Sequence, residues 1–354
     1  MTNLVITVVG AGVSGLTTAL VLQEKGFFVR LVAREFGRAL VSTVAGAQWE
    51  MPPAVCGFYE NSLPDSECRE RNWAEVSYQR FYELAKSLLQ TGVYLRPLTF
   101  YLDTPLQQNF REKLKFSELS RFAFGLKNDS SLLDSSGIYS RKLGYIDAYS
   151  YLAPQIDTDH YLSFLLETFL AGGGSIEYRQ VNSLVDILKE ADYVVNATGL
   201  GSRQIVEDCN VIPVRGAWFL VYNNGVDFPK VTGTHCTSLA SSSPEGQFLF
   251  IVPRGDNKLV LGGIAQPEKW SSERNEVSDA MQAVLNECTE FMPDLRKCRF
   301  VEDGMRVGLR PFRHGGVRCE MLERIIHNYG HGGSGVTLSW GCAQEVANLI
   351  ARHA

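Results

Sequence analysis

Residues 4–15 read Leu-Val-Ile-Thr-Val-Val-Gly-Ala-Gly-Val-Ser-Gly, an apolar run followed at once by a glycine-rich turn. The run Leu4 to Val9 is short and rich in β-branched residues, which predicts a buried parallel strand. A helical stripe follows and ends at Gly26, and Phe27 to Ala33 forms a second apolar run. The sequence therefore predicts a βαβ unit with a glycine-rich turn after its first strand.

The turn carries the pattern Gly10, Gly12, Gly15, with Val13 and Ser14 inside it. Glycines let backbone N–H groups approach an anion, and the N-terminus of the following helix adds positive charge. We predict that this turn holds the pyrophosphate of a dinucleotide. The alternative is that the glycines only shape a tight turn between strand and helix.

Two charged residues follow the second predicted strand. Glu35 lies 20 residues after Gly15, where a carboxylate can accept hydrogen bonds from a ribose 2′-hydroxyl. Arg34 is assigned to the same adenosine end, with a solvated surface arginine as an equal alternative.

A second glycine cluster lies in the stretch from His327 to Cys342, more than three hundred residues after the first. The segment Trp340 to His353 has the apolar spacing of a helix. Two such clusters suggest one large cofactor with two ends, and FAD fits better than NAD. Cys342 is interpreted as a packed residue rather than as a covalent flavin attachment.

The composition indicates a globular enzyme: 354 residues, 45% hydrophobic and 21% charged. A net charge of −5 argues against nucleic-acid or anionic membrane partners. No run of 18 apolar residues is present, and the first strand begins within a few residues, so we expect a cytoplasmic protein. The eight cysteines show no metal-ligand spacing, and no metal site is predicted.

The order of elements predicts an α/β fold, with an FAD-binding Rossmann-like domain and a second α+β substrate domain built on an antiparallel sheet. Helices are predicted at 73–90 and 160–171, and residues 100–145 are expected to be irregular. The strands of the second domain are predicted at 217–222, 248–252 and 259–261. We assign 1–53, 155–213 and 301–354 to the FAD-binding domain, and 54–154 and 214–300 to the substrate or cap domain.

Five motifs carry a resemblance that spans nearly the whole chain. They are Ala45-Gly-Ala-Gln-Trp49, Asn196-Ala-Thr-Gly199, Pro213-Val-Arg-Gly216, Gly308-Leu-Arg-Pro311 and the His327 to Cys342 stretch. In this order they resemble the D-amino acid oxidase family. The resemblance implies non-covalent FAD, oxidation of the Cα–N bond of D-amino acids to an imino acid, and reduction of O2 to hydrogen peroxide. Whether the protein forms a homodimer is left open.

The resemblance also implies site residues. Those expected to face FAD are Gly10, Gly12, Val13, Ser14, Gly15, Arg34, Glu35, Ser42, Thr43, Trp49, Val181, Thr198, Gly199, Arg310, Gly332, Gly333, Ser334, Gly335, Val336 and Thr337. Those expected at the reacting centre are Arg310, Gly333 and Phe250.

Arg310 matches the family's anchor for the substrate carboxylate, a role suited to a planar guanidinium that makes two parallel hydrogen bonds. Arg306 and Arg313 lie close by and could be confused with it in a sequence alone. His327 and His331 are interpreted as hydrogen-bonding residues rather than as bases.

Phe250 departs from the family pattern, because a tyrosine that shares the substrate carboxylate usually occupies this position. Losing such a donor to a charged group typically forfeits about 1.5–3 kcal/mol. The small, polar segment Ser241 to Gly246 offers no counterpart to the lid tyrosine of the animal enzymes.

The leading hypothesis is an oxidase of neutral or apolar D-amino acids. The alternatives are an oxidase of glycine, sarcosine or another amine, a flavin dehydrogenase with an acceptor other than oxygen, and a silent FAD-binding protein.

Overall fold

The computed structural model describes residues 4–51, 64–237 and 247–353. The chain divides into two compact units. The first comprises residues 1–92, 158–214 and 310–354, and the second comprises residues 93–157 and 215–309. The segment Ser241 to Gly246 and the predicted boundary at residue 54 lie outside the described residues.

The strands are β1 Val5–Val9, β2 Phe28–Ala33, β3 Val93–Leu102, β4 Lys127–Asn128, β5 Asp147–Ile156, β6 Ser175–Tyr178, β7 Tyr193–Asn196, β8 Val211–Tyr222, β9 Thr234–Thr237, β10 Gln247–Arg254, β11 Lys258–Ile264, β12 Gln266–Pro267, β13 Phe300–Arg313, β14 Arg318–Leu322 and β15 Ile325–Tyr329. The α-helices are α1 Val13–Glu24, α2 Pro64–Lys86, α3 Phe110–Leu119, α4 Thr158–Ala171, α5 Leu184–Leu188, α6 Ser202–Ile205, α7 Ser278–Phe291 and α8 Gly335–Ala351.

The first unit is built on a sheet with the order β14-β15-β7-β1-β2-β6. The strands from β15 to β6 are parallel, and β14 is an antiparallel edge strand. Val8 and Val194, on two neighbouring central strands, are completely buried, as expected for a parallel sheet covered by helices on both faces. Helix α1 packs beside α8 and α4, while α5 packs on β7.

Helix α8 is buried on most of its surface because α1 and α2 both pack against it. A Cβ added at Gly341 would lie 2.2 Å from the Cα of Trp73, so only glycine permits this approach of α2 and α8. The Oγ of Ser77 also accepts hydrogen bonds from the backbone N–H groups of Trp340 and Gly341, each at 3.1 Å. This packing places residues 64–92 with the first unit, whereas the sequence assigned them to the second.

The second unit is built on a largely antiparallel sheet with the order β12-β8-β11-β10-β9-β3-β5-β4, with β13 paired to β8. Helix α7 covers one face at β10 and β11. Ile251, Leu261, Met281 and Val284 are fully buried in the resulting core. Residues 301–309 stay with this unit because β13 continues along β8, although the sequence placed them in the first.

Residues 100–145 are more ordered than predicted, since they contain the end of β3, helix α3 and β4. Helix α3 lacks an apolar stripe because its buried face carries Glu112 and Lys115. The Nζ of Lys115 lies 3.5 Å from the centroid of the Phe100 ring, and the Tyr149 hydroxyl donates to Glu112 Oε2 at 2.7 Å. A helix that buries its charged residues is not detected by hydrophobic periodicity.

Candidate functional site

The parallel strands β15, β7, β1, β2 and β6 present their carboxyl ends at one edge of the first sheet. In open α/β sheets this edge is where ligands bind. The segments that follow these strands contain most of the predicted cofactor residues. In the strand order given, they are Gly332–Thr337, Thr198 and Gly199, Gly10–Gly15, Arg34 and Glu35, and Val181.

Two glycines of the β1–α1 turn are required by the fold itself. Gly10 has a φ of +109°, and a Cβ there would lie 2.3 Å from the carbonyl oxygen of Ala197. A Cβ on Gly15 would lie 1.8 Å from the carbonyl oxygen of Gly10. At Gly12, by contrast, the nearest atom to an added Cβ is the Ser42 Oγ at 3.2 Å, so its position remains open to a ligand.

The N-terminus of α1 carries the positive end of the helix dipole without an internal counter-charge. Gly12 provides no side-chain cap, and no acidic residue lies in the first turn. Ser42, which lies in the 3₁₀ turn Val41–Val44, accepts a hydrogen bond from the Val13 N–H at 3.0 Å. An anion at this N-terminus is stabilised by both the dipole and the remaining N–H groups.

The N-terminus of α8 lies beside that of α1. Ser334 provides no side-chain cap, and no acidic residue lies in the first turn of α8. A Cβ added at Gly335 would be 3.8 Å from Val13 Cγ1. The Val336 and Thr337 side chains are buried in this first turn.

A buried network joins the two glycine-rich segments. The Thr18 hydroxyl donates to the Ser14 carbonyl at 2.7 Å, so Thr18 Oγ1 accepts from the Asn328 side-chain amide at 3.0 Å. Asn328 Oδ1 thereby faces His331 Nε2 at 3.1 Å, and Ser14 Oγ lies 3.4 Å from His331 Nδ1. This pattern is satisfied when His331 carries its proton on Nε2 and Nδ1 accepts from Ser14.

Burial keeps both histidines of this stretch neutral. Desolvation lowers the pKa of His331 to about 4. The pKa of His327 is also about 4, lowered first by desolvation and then by the charge of Arg318. Their side chains are buried and face neighbouring side chains, in agreement with the interpretation that they are not bases.

The turn after β7 is shaped by the buried side chain of Asn196. Its Oδ1 accepts from the Thr198 N–H at 3.2 Å and from the Thr198 hydroxyl at 2.7 Å. Gly199 has a φ of +58°, and its Cβ position is 3.6 Å from Pro311. The segment after Arg310 therefore passes directly beside this turn.

Arg310 is half-buried. Of the two residues that follow it, Pro311 contacts the turn after β7 and Phe312 contacts the loop before α8. Phe312 forms an isolated β-bridge with His331 and lies 3.2 Å from the Cβ position of Gly332. The neighbouring arginines have carboxylate partners: Arg306 pairs with Asp303 at 3.7 Å and Arg313 with Asp208 at 2.7 Å. Arg306 and Arg313 thus have carboxylate partners of their own, and Arg310 is the one of the three that directly precedes the residues beside Gly199 and Gly332.

At the opposite side of the edge, Arg34 Nε lies 3.2 Å from Glu35 Oε1, with side-chain exposures of 69% and 45%. The side chain of Val181 is buried with Val9 and Val32. Only the backbone of Val181 therefore follows the carboxyl edge of the sheet.

Two of the predicted residues hold the structure with their side chains. Trp49 is fully buried, and its Nε1 donates to the Ala74 carbonyl at 3.2 Å. The buried Thr43 donates through Oγ1 to the Leu40 carbonyl at 2.7 Å. Trp49 is buried as a whole residue, and its carbonyl accepts from Gln48 Nε2 at 3.1 Å, so the structure uses it for packing in the core.

In the second unit, Phe250 lies on β10 opposite Cys236 of β9 and Gly262 of β11. It packs with a cluster that includes Trp218 and Val252, and its ring centroid is 5.9 Å from that of Phe248. Because side chains alternate along a strand, Phe250 lies on the sheet face opposite the α7 core that contains Ile251.

Among residues 4–51, 64–237 and 247–353, no cluster of His, Cys, Asp or Glu is arranged to hold a metal ion. None of the helices in the same ranges is long and apolar enough to cross a membrane.

A family model described as FAD dependent oxidoreductase, the DAO family, matches residues 6–349. The chain therefore belongs to the DAO family of FAD-dependent oxidoreductases. The predicted FAD cofactor, the enzyme class and the family resemblance are all confirmed.

The chain is 35% identical to a D-amino-acid oxidase of Rubrobacter xylanophilus, over 97% of this chain and 94% of that protein. It is 34% identical to a D-amino-acid oxidase of Streptomyces coelicolor, over 98% and 96%. Its fold is similar to a glycine oxidase from Bacillus cereus, with a TM-score of 0.75, 16% identity and coverage of 99% and 96%. It is also similar to an L-proline dehydrogenase from P. horikoshii, with a TM-score of 0.74, 13% identity and coverage of 98% and 93%. The predicted fold class is confirmed.

Sequence reasoning missed two groups of residues at this edge. Asn328 and Thr18 complete the buried network, but a polar residue inside a predicted core element gives no sign of its partner. Phe36 and Tyr178 meet at the ends of β2 and β6, and only the pairing of these distant strands brings the rings together.

Proposed function

We propose that this protein is a D-amino-acid oxidase that deaminates neutral or apolar D-amino acids to 2-oxo acids through the imino acid. Oxygen is the electron acceptor and hydrogen peroxide the second product. The two curated relatives of this name match nearly the whole chain and support the substrate class. The observation that carries the proposal is the passage of residues 310–312 beside Gly199 and Gly332 at the carboxyl edge.

The residues of this edge fit an FAD molecule that lies across the strands. Gly12 and the uncapped N-terminus of α1 suit the pyrophosphate, and Glu35 suits the adenosine ribose. The backbone of Gly333 and Gly335, at the start of α8, suits the flavin end. When bound, FAD supplies the hydride acceptor and returns two electrons to oxygen.

Arg310 is the residue we assign to the substrate α-carboxylate. Its guanidinium makes two parallel hydrogen bonds to the carboxylate and so determines which face of Cα is presented to the cofactor. This contact gives affinity, and together with the placement of the amine and the side chain it selects the D-isomer.

We assign no side chain as a general base. The amine loses its ammonium proton before the Cα–H is transferred, and positioning then accounts for the reaction. His331 does not serve as the base, because it is 3% exposed and its ring nitrogens face the buried Asn328 and the half-buried Ser14. His327 is 4% exposed and has a pKa of about 4.

An anaerobic titration of the FAD-loaded protein with D- and L-amino acids tests the proposal. We expect D-isomers to bleach the visible flavin band and the L-isomers to leave it unchanged. Admission of air should restore the band and release one peroxide per reduced flavin. Bleaching without peroxide would indicate an acceptor other than oxygen, and the absence of bleaching would overturn the assignment.

Phe250 favours a second candidate, an oxidase of glycine, sarcosine or another small amine. A phenyl ring in place of a phenol removes one donor to the carboxylate and leaves a more apolar pocket. Adding these amines to the titration separates the two candidates, since a glycine oxidase would be reduced by them faster than by larger D-amino acids.

A further inference from the structure

Phe36 and Tyr178 form an aromatic pair at the carboxyl edge of the first sheet. Their ring centroids are 4.7 Å apart, with an interplanar angle of 60°. Tyr178 is 69% exposed, and the half-buried Phe36 packs its ring against it edge to face. The contact supports the tyrosine ring and leaves much of its surface open to a ligand.

The pair lies next to the residues assigned to the ribose. Tyr178 is the last residue of β6 and is in register with Ala33, the last residue of β2. The Arg179 N–H donates to the Ala33 carbonyl at 2.9 Å. Because Glu35 comes two residues after Ala33, the ring of Tyr178 lies one strand outward from it.

The order of strands gives the direction of the ligand. The glycine turn follows β1, Glu35 follows β2 and Tyr178 ends β6, and these strands are neighbours in this order. Adjacent strands are roughly 4.8 Å apart. A dinucleotide with its pyrophosphate at β1 and its ribose at β2 therefore directs its base towards β6.

We propose that Tyr178, supported by Phe36, is the surface on which the adenine ring of FAD stacks. The inference rests on FAD binding at this edge, as in the proposed function, and it is independent of which amino acid is oxidised. Adenine offers an aromatic face, and stacking of a base on an aromatic side chain is sequence-tolerant and driven by surface contact. Removal of one such ring changes affinity roughly 5- to 150-fold.

The test compares FAD with FMN, which has the same flavin but no adenine. FAD-loaded protein is diluted and the fluorescence of released flavin is followed to equilibrium, and rebinding of FAD or FMN is then titrated. Tyr178→Ala should raise the dissociation constant for FAD roughly 5- to 150-fold and leave that for FMN unchanged. Tyr178→Phe should retain FAD affinity within about threefold, because the ring is kept.

Phe28→Ala is the matched control, because Phe28 is 61% exposed and begins β2 at the other end of the same sheet. It should not change either dissociation constant. If Tyr178→Ala binds FAD as the unsubstituted protein does, or loses FAD and FMN equally, the inference is overturned. If Tyr178→Ala is insoluble, Tyr178→Leu is measured against the same thresholds.

The outcome is separable from that of the proposed function. A selective loss of FAD affinity in a protein that no amino acid reduces would support the adenine site and refute the oxidase. Full reduction by D-amino acids together with unchanged FAD affinity in Tyr178→Ala would support the oxidase and refute the adenine site.

Discussion

Ser14 and His331, separated by 317 residues in the sequence, lie 3.4 Å apart between Oγ and Nδ1. Ser14 belongs to the first turn of α1, and His331 precedes the glycines that lead into α8. The contact joins the two segments that we assign to the pyrophosphate and to the flavin half of one cofactor. Because the partner Asn328 is completely buried, the geometry of both loops depends on the same hydrogen bonds.

Replacing His331 by leucine should therefore destabilise the protein by about 1–3 kcal/mol, since the buried Asn328 oxygen loses its donor. FAD affinity should fall with stability, because both glycine-rich segments lose a common support. Urea unfolding and flavin fluorescence measure the two effects. His353→Leu is the control: this histidine is exposed at the end of α8, and its replacement should change stability by less than about 0.5 kcal/mol.

The same histidine gives stability a predictable pH dependence. Its pKa is about 4 in the folded protein and about 6.5 when unfolded, so the unfolded state binds more protons between these values. The stability contributed by neutral His331 is complete above pH 6.5 and decreases as the pH falls towards 4. The total loss is roughly 3 kcal/mol.

The measurement is the difference in unfolding free energy between the unsubstituted protein and His331→Leu at pH 7.5, 6.0 and 5.0. Other groups titrate in both proteins, so their contributions largely cancel in this difference. This difference in unfolding free energy should decrease steadily as the pH falls. A difference that is the same at all three pH values would refute the conclusion that His331 is buried in its neutral form.

Much of the first unit follows from short, local patterns. The β1–α1 turn and Glu35 lie at fixed distances along the chain, and each has a physical reason for its residue type. The extent of the helices was less predictable. Helix α2 begins at Pro64 and α8 at Gly335, earlier than the apolar spacing indicated. Near the start of α2, Arg69 donates to the Cys319 carbonyl and Glu70 accepts from the Val317 N–H, and contacts with such distant residues leave no periodic signal.

The remainder of the site depends on tertiary contacts between distant residues. Residue type and spacing could not separate Arg306, Arg310 and Arg313, and only the motif around Arg310 singled it out, whereas the carboxylate partners of Arg306 and Arg313 come from the fold. The residue type at Trp49 fitted a cofactor segment, yet its indole is used for packing against Tyr78.

The glycines of the β1–α1 turn should respond differently to alanine. Gly15→Ala places a Cβ 1.8 Å from the Gly10 carbonyl oxygen, so α1 must move and the folded protein should be lost or strongly destabilised. Gly12→Ala meets only the Ser42 Oγ at 3.2 Å, so the fold should persist while FAD affinity falls about tenfold or more.

Circular dichroism and flavin content of the two purified variants check this contrast. Equal FAD content in Gly12→Ala and the unsubstituted protein would exclude a close approach of the pyrophosphate to this residue.

Phe250→Tyr should restore a donor at the predicted substrate end without changing flavin content. If the hydroxyl reaches the carboxylate, the KM for D-amino acids should fall about tenfold, as expected for one hydrogen bond to a charged group. Steady-state kinetics and the flavin absorbance ratio measure both quantities. Phe300→Tyr, at a 46% exposed site on β13, is the control and should leave KM unchanged.

Arg310→Met should retain bound FAD and lose most of its activity on α-carboxylated substrates. Two charge-assisted hydrogen bonds of about 1.5–3 kcal/mol each correspond to a fall in kcat/KM of roughly 10²–10⁴. Arg306→Met is the matched control, because Arg306 is paired with Asp303 within the second unit and should give nearly normal turnover. Rapid-reaction reduction of the flavin measures the chemical step directly. Normal reduction of Arg310→Met by D-amino acids would assign the anchor role to another residue. A variant that is reduced slowly by D-amino acids but at the normal rate by amines without a carboxylate would establish that Arg310 acts on the carboxylate itself.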